Sequence, residues 1–269
     1  MMDDRQIMAL VERVQAGKKY RSIAPGFVRR LSHDALERGL SGKSAVKAVR
    51  NKLHQVGNAY FRQNVDYAEK ASILSEYQPN LYSDAVKKFC VNTMKAHAST
   101  AERLPILEDF YQTCLAPIAP VNSILDLACG LNPLAIPWMP LSSGFRYHAC
   151  DIYLDMVHFL QSFFDHFTLA ASAEACDLIG EIPQPATQVA FLLKTIPCLE
   201  QVDRSIGQQI LDKIPSEHIL VSFPSQSLGG RQKGMPDFYR EHFHELLAGK
   251  NWQVREFSFE TELAFLVSR

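Results

Sequence analysis

From residue 121 onward, short apolar runs alternate with stretches of helical periodicity, which confines the chain to a parallel sheet covered by helices. Parallel neighbours need a crossover of a dozen or more residues, and the spacing supplies one each time. Residues 121–128, 145–150, 188–193 and 218–223 read as strands. Residues 154–167, 199–214 and 237–248 carry apolar side chains at helical spacing and read as the crossovers. Residues 252–259 and 263–268, separated by Glu260-Thr261, read as a closing hairpin. The first hundred residues contain no strand pattern. Residues 3–16, 27–39, 44–60, 66–77 and 83–94 read as helices, so the expected fold class is α/β with an all-helical N-terminal domain.

Charge divides the chain at the same place. Residues 1–103 hold 18 Lys+Arg against 10 Asp+Glu, whereas 104–269 hold 10 against 19, although the formal net charge is only −1. The predicted division is therefore a basic helical domain over 1–103 and an acidic α/β domain over 104–269, the first carrying the second to a polyanion. A chain of 269 residues buries enough surface to need no disulfide or metal. The six cysteines (90, 114, 129, 150, 176 and 198) lie at least fifteen residues apart, which excludes a CxxC pair or zinc-ribbon spacing. They read as small buried apolar side chains, and no metal is expected. There is no run of eighteen apolar residues and no signal-peptide pattern, so a cytoplasmic protein with no membrane span is expected.

The sharpest motif is Leu125-Asp126-Leu127-Ala128-Cys129-Gly130-Leu131-Asn132-Pro133, an apolar strand entering a small-residue turn and then a helix. Doubly wound sheets bind ligands at the carboxyl ends of their strands, at the topological switch point. Small residues there let the backbone approach a ligand closely. With a single glycine this is not the dinucleotide fingerprint. Asp151 ends the next strand, 25 residues after Asp126, where a carboxylate can accept hydrogen bonds from both ribose hydroxyls. Asp177 falls where the third strand should end, placed for an adenine amino group. Any one of these carboxylates would serve equally as a helix cap or an exposed turn, but three at successive strand ends point to a nucleoside site.

Four stretches carry a resemblance over nearly the whole chain: His97-Ala98-Ser99-Thr100-Ala101-Glu102-Arg103-Leu104; Leu125 through Pro133; Phe191-Leu192-Leu193-Lys194 with Pro197 and Leu199; and Ser222-Phe223-Pro224-Ser225 with Ser227-Leu228-Gly229-Gly230-Arg231 and Lys233-Gly234-Met235. Tyr20-Arg21, Val28-Arg29-Arg30, Leu53-His54 and Ala59-Tyr60 extend it into the N-terminus. These residues resemble the aminoglycoside-resistance 16S ribosomal RNA methyltransferases that modify N7 of guanine 1405. The resemblance implies a class I (Rossmann-like) methyltransferase sheet, S-adenosyl-L-methionine as cofactor, and 16S rRNA within the assembled 30S subunit as substrate, with the protein acting as a monomer. It also implies that Arg103 pairs with the donor's methionine carboxylate, that Asp151 with Ile152 holds the ribose and Asp177 the adenine, and that Ala128 and Gly130 line the floor. Lys194 would stand beside the reacting centre and Glu262 would face the target. Ser222 through Arg231, with Lys233, would wall the guanine pocket. Thr195-Ile196 stands where Leu-Leu is usual and Gln226 where Arg or Lys is expected, which unsettles the pocket edges rather than the donor site.

A methyl donor has no pyrophosphate to cradle, which suits a turn with one glycine. Guanine N7 carries a free lone pair, so no strong base is needed and orientation alone can supply roughly 7–11 kcal/mol. Lys194 could instead be paired structurally with a carboxylate. Lys18, Lys19, Arg21, Arg29 and Arg30, with Lys43, Lys47 and Arg50, form the expected phosphate-binding surface. The alternative substrate is adenine N1 in the same decoding-site helix. A ribosome-binding protein with a degenerate donor site is the non-enzymatic alternative.

Overall fold

The computed structural model describes residues 4–57, 61, 65–225 and 234–269. Its N-terminal helices are α1 (Asp4–Gln15), α2 (Pro25–Glu37), α3 (Gly42–Val56), α4 (Tyr67–Ser75), α5 (Asp84–Met94), α6 (Ala98–Arg103) and α7 (Leu107–Leu115). The side-chain oxygens of Asp66 and Ser83 cap α4 and α5 by accepting from the N–H groups of Glu69 and Val86. α1, α2 and α3 pack on one another through Ile7, Leu10, Val14, Phe27, Val28, Leu31, Val49 and Leu53, all buried. The predicted third helix ran to Tyr60; the observed one closes at Val56, and residues 58–60 lie outside the described residues.

The strands are β1 (Val121–Leu127), β2 (Leu141–Asp151), β3 (Ala171–Ala175), β4 (Thr187–Leu193), β5 (Ser216–Pro224), β6 (Gln253–Ser258) and β7 (Glu262–Ser268). They form one seven-stranded sheet in the order β3-β2-β1-β4-β5-β7-β6. β1 through β5 are parallel, and β7 runs antiparallel between β5 and β6. The crossover helices are α8 (Leu154–His166), α9 (Ile196–Leu199), α10 (Ile206–Lys213) and α11 (Met235–Leu246). Successive residues point to opposite faces of the sheet. Val189, Phe191 and Leu193 of β4 thus join a core shared with the N-terminal helices, while Ala190 and Leu192 join the opposite one, under α10 and α11. The first core is continuous from Ile7 to Leu266, and Tyr67 of α4 stacks on Phe159 of α8 at 5.6 Å.

Three expectations are corrected. The segment after the small-residue turn is a 3-10 helix, Asn132–Trp138, because Pro133 and Pro137 cannot supply the N–H groups of an α-helix. The predicted helix over 199–214 is two helices, split where Asp203 accepts from the backbone N–H and hydroxyl of Ser205 at 2.9 and 2.7 Å, a local turn that competes with helix. Two of the six cysteines are not free thiols: Cys150, in the last turn of β2, and Cys176, just past β3, are joined by a disulfide across the adjacent strand ends.

The helical half is also hydrogen-bonded to the loop that follows β2. The Ala24 N–H donates to the Ile152 carbonyl and the Leu154 N–H to the Ser22 carbonyl, each at 2.7 Å, around an Ile23–Tyr153 bridge. Tyr153 is buried, packs edge-on to Phe61 and faces Gly57 at the end of α3. A β-carbon on Gly57 would stand 3.0 Å from Cε2 and Cζ of Tyr153 and closer still to its hydroxyl. Gly57→Ala is expected to cost about 1–3 kcal/mol in urea unfolding. Tyr153→Phe in the same chain should recover part of that loss, since the hydroxyl has no hydrogen-bond partner among the described residues; an unchanged midpoint in Gly57→Ala alone would refute the close fit.

Candidate active site

β1 and β4 are neighbours in the sheet but lead to crossovers on opposite sides, so their carboxyl ends mark the switch point. Both strands end in a non-glycine residue of left-handed backbone, Ala128 at φ +52° and Lys194 at φ +58°. Such conformations cost of order 1–3 kcal/mol and persist where surrounding contacts hold them. Here the Lys194 N–H donates to the Ser222 carbonyl at 2.9 Å and lies 3.1 Å from its hydroxyl, while the Thr195 hydroxyl donates to the Leu127 carbonyl at 3.3 Å. Gly130, at φ +53°, is required twice over, because an added β-carbon would also stand 3.0 Å from the His97 ring.

Between these ends opens a cleft lined by the strand ends and by the N-terminal helices. Asp151 lies on its floor. One carboxylate oxygen accepts from Gly130 N–H at 2.9 Å, and the other from Ile152 and Tyr153 N–H at 2.7 and 3.4 Å. Burial raises the Asp151 pKa, and these three backbone donors offset part of that. Asp177 lines the opposite side, one oxygen accepting from Ile179 and Gly180 N–H at 3.1 and 3.3 Å. Ala128 and Ile152 also line the cleft, as do Leu178, Leu193 and Ser99. Phe27 of α2 and Val56 of α3 close it from the helical half.

Beside the cleft is a buried charged cluster. Glu262, fully buried at the start of β7, accepts from Arg103 Nη2 at 2.6 Å, Arg103 Nε at 3.1 Å and the Ser222 hydroxyl at 2.5 Å. Lys194 Nζ donates to Glu102 at 2.9 Å and stands 3.4 Å from Glu262. Burial alone would raise the Glu262 pKa, but Arg103 and then Lys194 hold it below the ordinary carboxylate value. Arg103, 1% exposed, gives its Nη1 edge to Asn132 at 3.0 Å and lies over the Phe110 ring. Asn132 in turn donates to Asp126 at 2.9 Å, as does the Tyr147 hydroxyl at 2.6 Å.

The predicted site residues therefore fall into distinct groups. Ala128, Asp151, Ile152, Asp177 and Lys194 meet at the cleft, and Gly130 holds Asp151 from behind. Arg103 and Glu262 face each other rather than the cleft. Ser222 is fully buried beneath them, so it supports Glu262 instead of forming a pocket wall. Arg231 and Lys233 lie outside the described residues. Lys18, Lys19 and Arg21 are exposed in the turn after α1, and Arg29 is exposed beside Asp4. Arg30 turns inward to Asp177 at 2.6 Å, and Arg50 donates to the Arg13 and Val14 carbonyls at the end of α1, so neither stands free on the basic surface. The contributions of Phe27 and Val56 to the cleft escaped the sequence reading, because apolar residues of a distant helical half carry no local mark of a ligand.

The two carboxylates and the apolar walls between them suit a nucleoside: acceptors for a ribose diol and an exocyclic amine, with flat apolar surface for a purine. With a sheet of this order and a switch-point cleft, the chain is a class I methyltransferase that uses S-adenosyl-L-methionine. The profile of the ribosomal RNA methyltransferase (FmrO) family matches residues 16–266. The chain belongs to that family. It is 33% identical over 258 residues to the 16S rRNA (guanine(1405)-N(7))-methyltransferase of Micromonospora echinospora, covering 95% of this chain and 94% of that one. It is 37% identical over 253 residues to the enzyme of the same name from Micromonospora olivasterospora, covering 93% and 84%. The crystal structure of the 16S rRNA methyltransferase RmtF with S-adenosyl-L-homocysteine superposes with a TM-score of 0.83 at 31% identity, covering both chains completely.

Asp126 gives this site a pH signature. Burial pushes its pKa up to about 6, against the lowering effect of Tyr147, Asn132 and Arg103. The folded protein thus holds this proton more tightly than the unfolded chain, and stability falls as pH rises from about 4 through 6. In Asp126→Asn that loss disappears. Between pH 4.5 and 7 the variant should gain about 2 kcal/mol relative to the parent in paired urea titrations. Parallel stability profiles of the two proteins would contradict it.

Proposed function

We propose that this protein transfers a methyl group from S-adenosylmethionine to N7 of guanine 1405 of 16S rRNA in the assembled 30S subunit, conferring aminoglycoside resistance. The observation that carries the reading is similarity at 33–37% identity over nearly the whole chain to relatives named for that reaction, together with a cleft at the switch point that holds two carboxylates. The bound cofactor supplies an electrophilic methyl group on a sulfonium. Of the residues lining the cleft, Asp151 would accept from the ribose, Asp177 would accept from the adenine amino group, and Ile152 and Leu178 would supply apolar surface for the base. Arg103, held by Glu262 and Asn132 outside the cleft lining, would meet the donor's carboxylate only by releasing Asn132 from its Nη1 edge.

Guanine presents N7 and O6 as acceptors on one edge. N7 needs only aim, and an ammonium can donate to O6 without masking it. Lys194, lining the cleft and steered by Glu102 and Glu262, is that donor. Glu262 is fully buried and acts through Lys194 and Arg103, as a positioning residue. The base must leave its helix to be reached, at a cost of a few kcal/mol. Phosphate contacts by Lys18, Lys19, Arg21 and Arg29 of the basic 1–103 domain offset that cost, while 104–269 provides the sheet and the chemistry. Residues of one chain close the cleft, so the protein acts as a monomer. It works in the cytoplasm, where small subunits are found, and no described helix is long and apolar enough to cross a membrane.

Purified protein, donor and 30S subunits test the assignment. Borohydride–aniline treatment should cleave the treated 16S rRNA at guanine 1405, because only the N7-methylated purine becomes labile. A primer-extension stop at an adenine without such cleavage would redirect the reading to adenine N1, and no methyl transfer would remove it. Lys18, Lys19 and Arg21 changed together to Glu should leave cofactor affinity intact and weaken subunit binding about tenfold or more at physiological salt. Asp151→Ala should do the reverse, abolishing calorimetric cofactor binding.

A further inference from the structure

Arg30 belongs to the basic helical half, yet its guanidinium leaves that surface. From α2 it crosses to the loop after β3 and donates from Nε to the outer carboxylate oxygen of Asp177 at 2.6 Å, a partner 147 residues away. The loop leaves room for it. A β-carbon on Gly180 would stand 3.0 Å from Cζ of Arg30, closer still to Nη2, and 3.3 Å from the same Asp177 oxygen. The guanidinium therefore fills the space that a side chain at position 180 would take. The other Asp177 oxygen is held by two backbone N–H groups, so the carboxylate is fixed at both ends. An ionised carboxylate offers about four acceptor positions, and three are taken. One remains, on the oxygen that Arg30 orients, and Asp177 lines the cleft.

We propose that Arg30 is a specificity-determining positioning residue: it aims the last acceptor position of Asp177 at the exocyclic amine of the donor's adenine, from within the half of the chain that meets RNA. The proposal rests on the assignment of Asp177 to adenine. A carboxylate covered by a purine loses water, and without a cation beside it the buried charge must turn away or remain uncompensated. Arg30 removes that choice. It also makes purine recognition depend on how α2 is seated, so the basic half takes part in selecting the cofactor.

Calorimetry with S-adenosylhomocysteine and S-inosylhomocysteine, which carries a carbonyl oxygen in place of the amine, tests this on the full chain. The parent protein should prefer the adenosyl ligand by about tenfold or more, since a site built around an N–H rejects the analogue lacking it. Arg30→Ala should cut the preference below about threefold, and Arg30→Lys should restore most of it. Gly180→Ala keeps every charge, sits at an ordinary φ and crowds the guanidinium far more than the Asp177 oxygen, so it should lower the preference as Arg30→Ala does even if that variant folds poorly. Equal weakening of both ligands with an unchanged preference would reduce Arg30 to a staple between α2 and the sheet and overturn the proposal. A parent protein with no preference would overturn it too, and the assignment of Asp177 to adenine with it.

Discussion

The ion pair between Arg103 and Glu262 is the contact around which the rest is arranged. Two charges almost fully withdrawn from water are tolerated only when each is paired and hydrogen-bonded, since an orphaned member costs several kcal/mol. That requirement explains the neighbours. Glu262 collects Arg103, Ser222 and Lys194, while Arg103 spends its remaining edge on Asn132 and Tyr111. Asn132 then carries the network to Asp126 and Tyr147 in the middle of the sheet. The cluster thus joins α6, the ends of β1, β4 and β5, and the start of β7. Of those strand ends β1 and β4 border the cleft, and the ends of β2 and β3 supply its two carboxylates.

This arrangement also explains why Lys194 can hold a left-handed backbone. Its N–H is fastened to Ser222 and its ammonium to Glu102, so both ends of the residue are determined by partners outside its own strand. The strain at Ala128 and Lys194 turns two adjacent strands apart at one level, which opens the cleft without a glycine-rich loop. Covering that opening falls to the helical half. Phe27 and Val56 reach it only because Ser22 and Ala24 are hydrogen-bonded to the loop that follows Asp151.

Much of this was legible in the amino-acid order. Apolar runs marked four of the five parallel strands, because a strand buried on both faces has to be continuously apolar, and their ends brought Asp151 to the cleft; Asp126, expected beside it, turns instead into the buried network of Asn132 and Tyr147. β3 carried no such run: Ala171-Ser172-Ala173-Glu174-Ala175 lies near the sheet edge, half exposed, and it was located only by Asp177 beyond it. Local chemistry misled where proline intervened, at Pro133 and Pro137. Partner choice was not legible at all. Arg30 looked like a surface cation and Ser222 like a pocket wall, since nothing nearby in the chain shows that their partners stand 147 and 40 residues away. The Cys150–Cys176 bond was hidden for the same reason, because only strand pairing brings the two sulfurs together.

The placement of β7 between β5 and β6 has a consequence for how the molecule is made. Glu262 follows Arg103 by 159 residues, an interval of roughly 8–30 s at ordinary rates of translation. Throughout that interval the arginine has no carboxylate to meet, and the slot it is destined to share in the sheet is vacant. A nascent chain therefore cannot complete this charged cluster before β7 has been made. The Arg103–Glu262 pair forms only once β7 is in place, so a truncated product released from a stalled ribosome would carry the N-terminal helices without it.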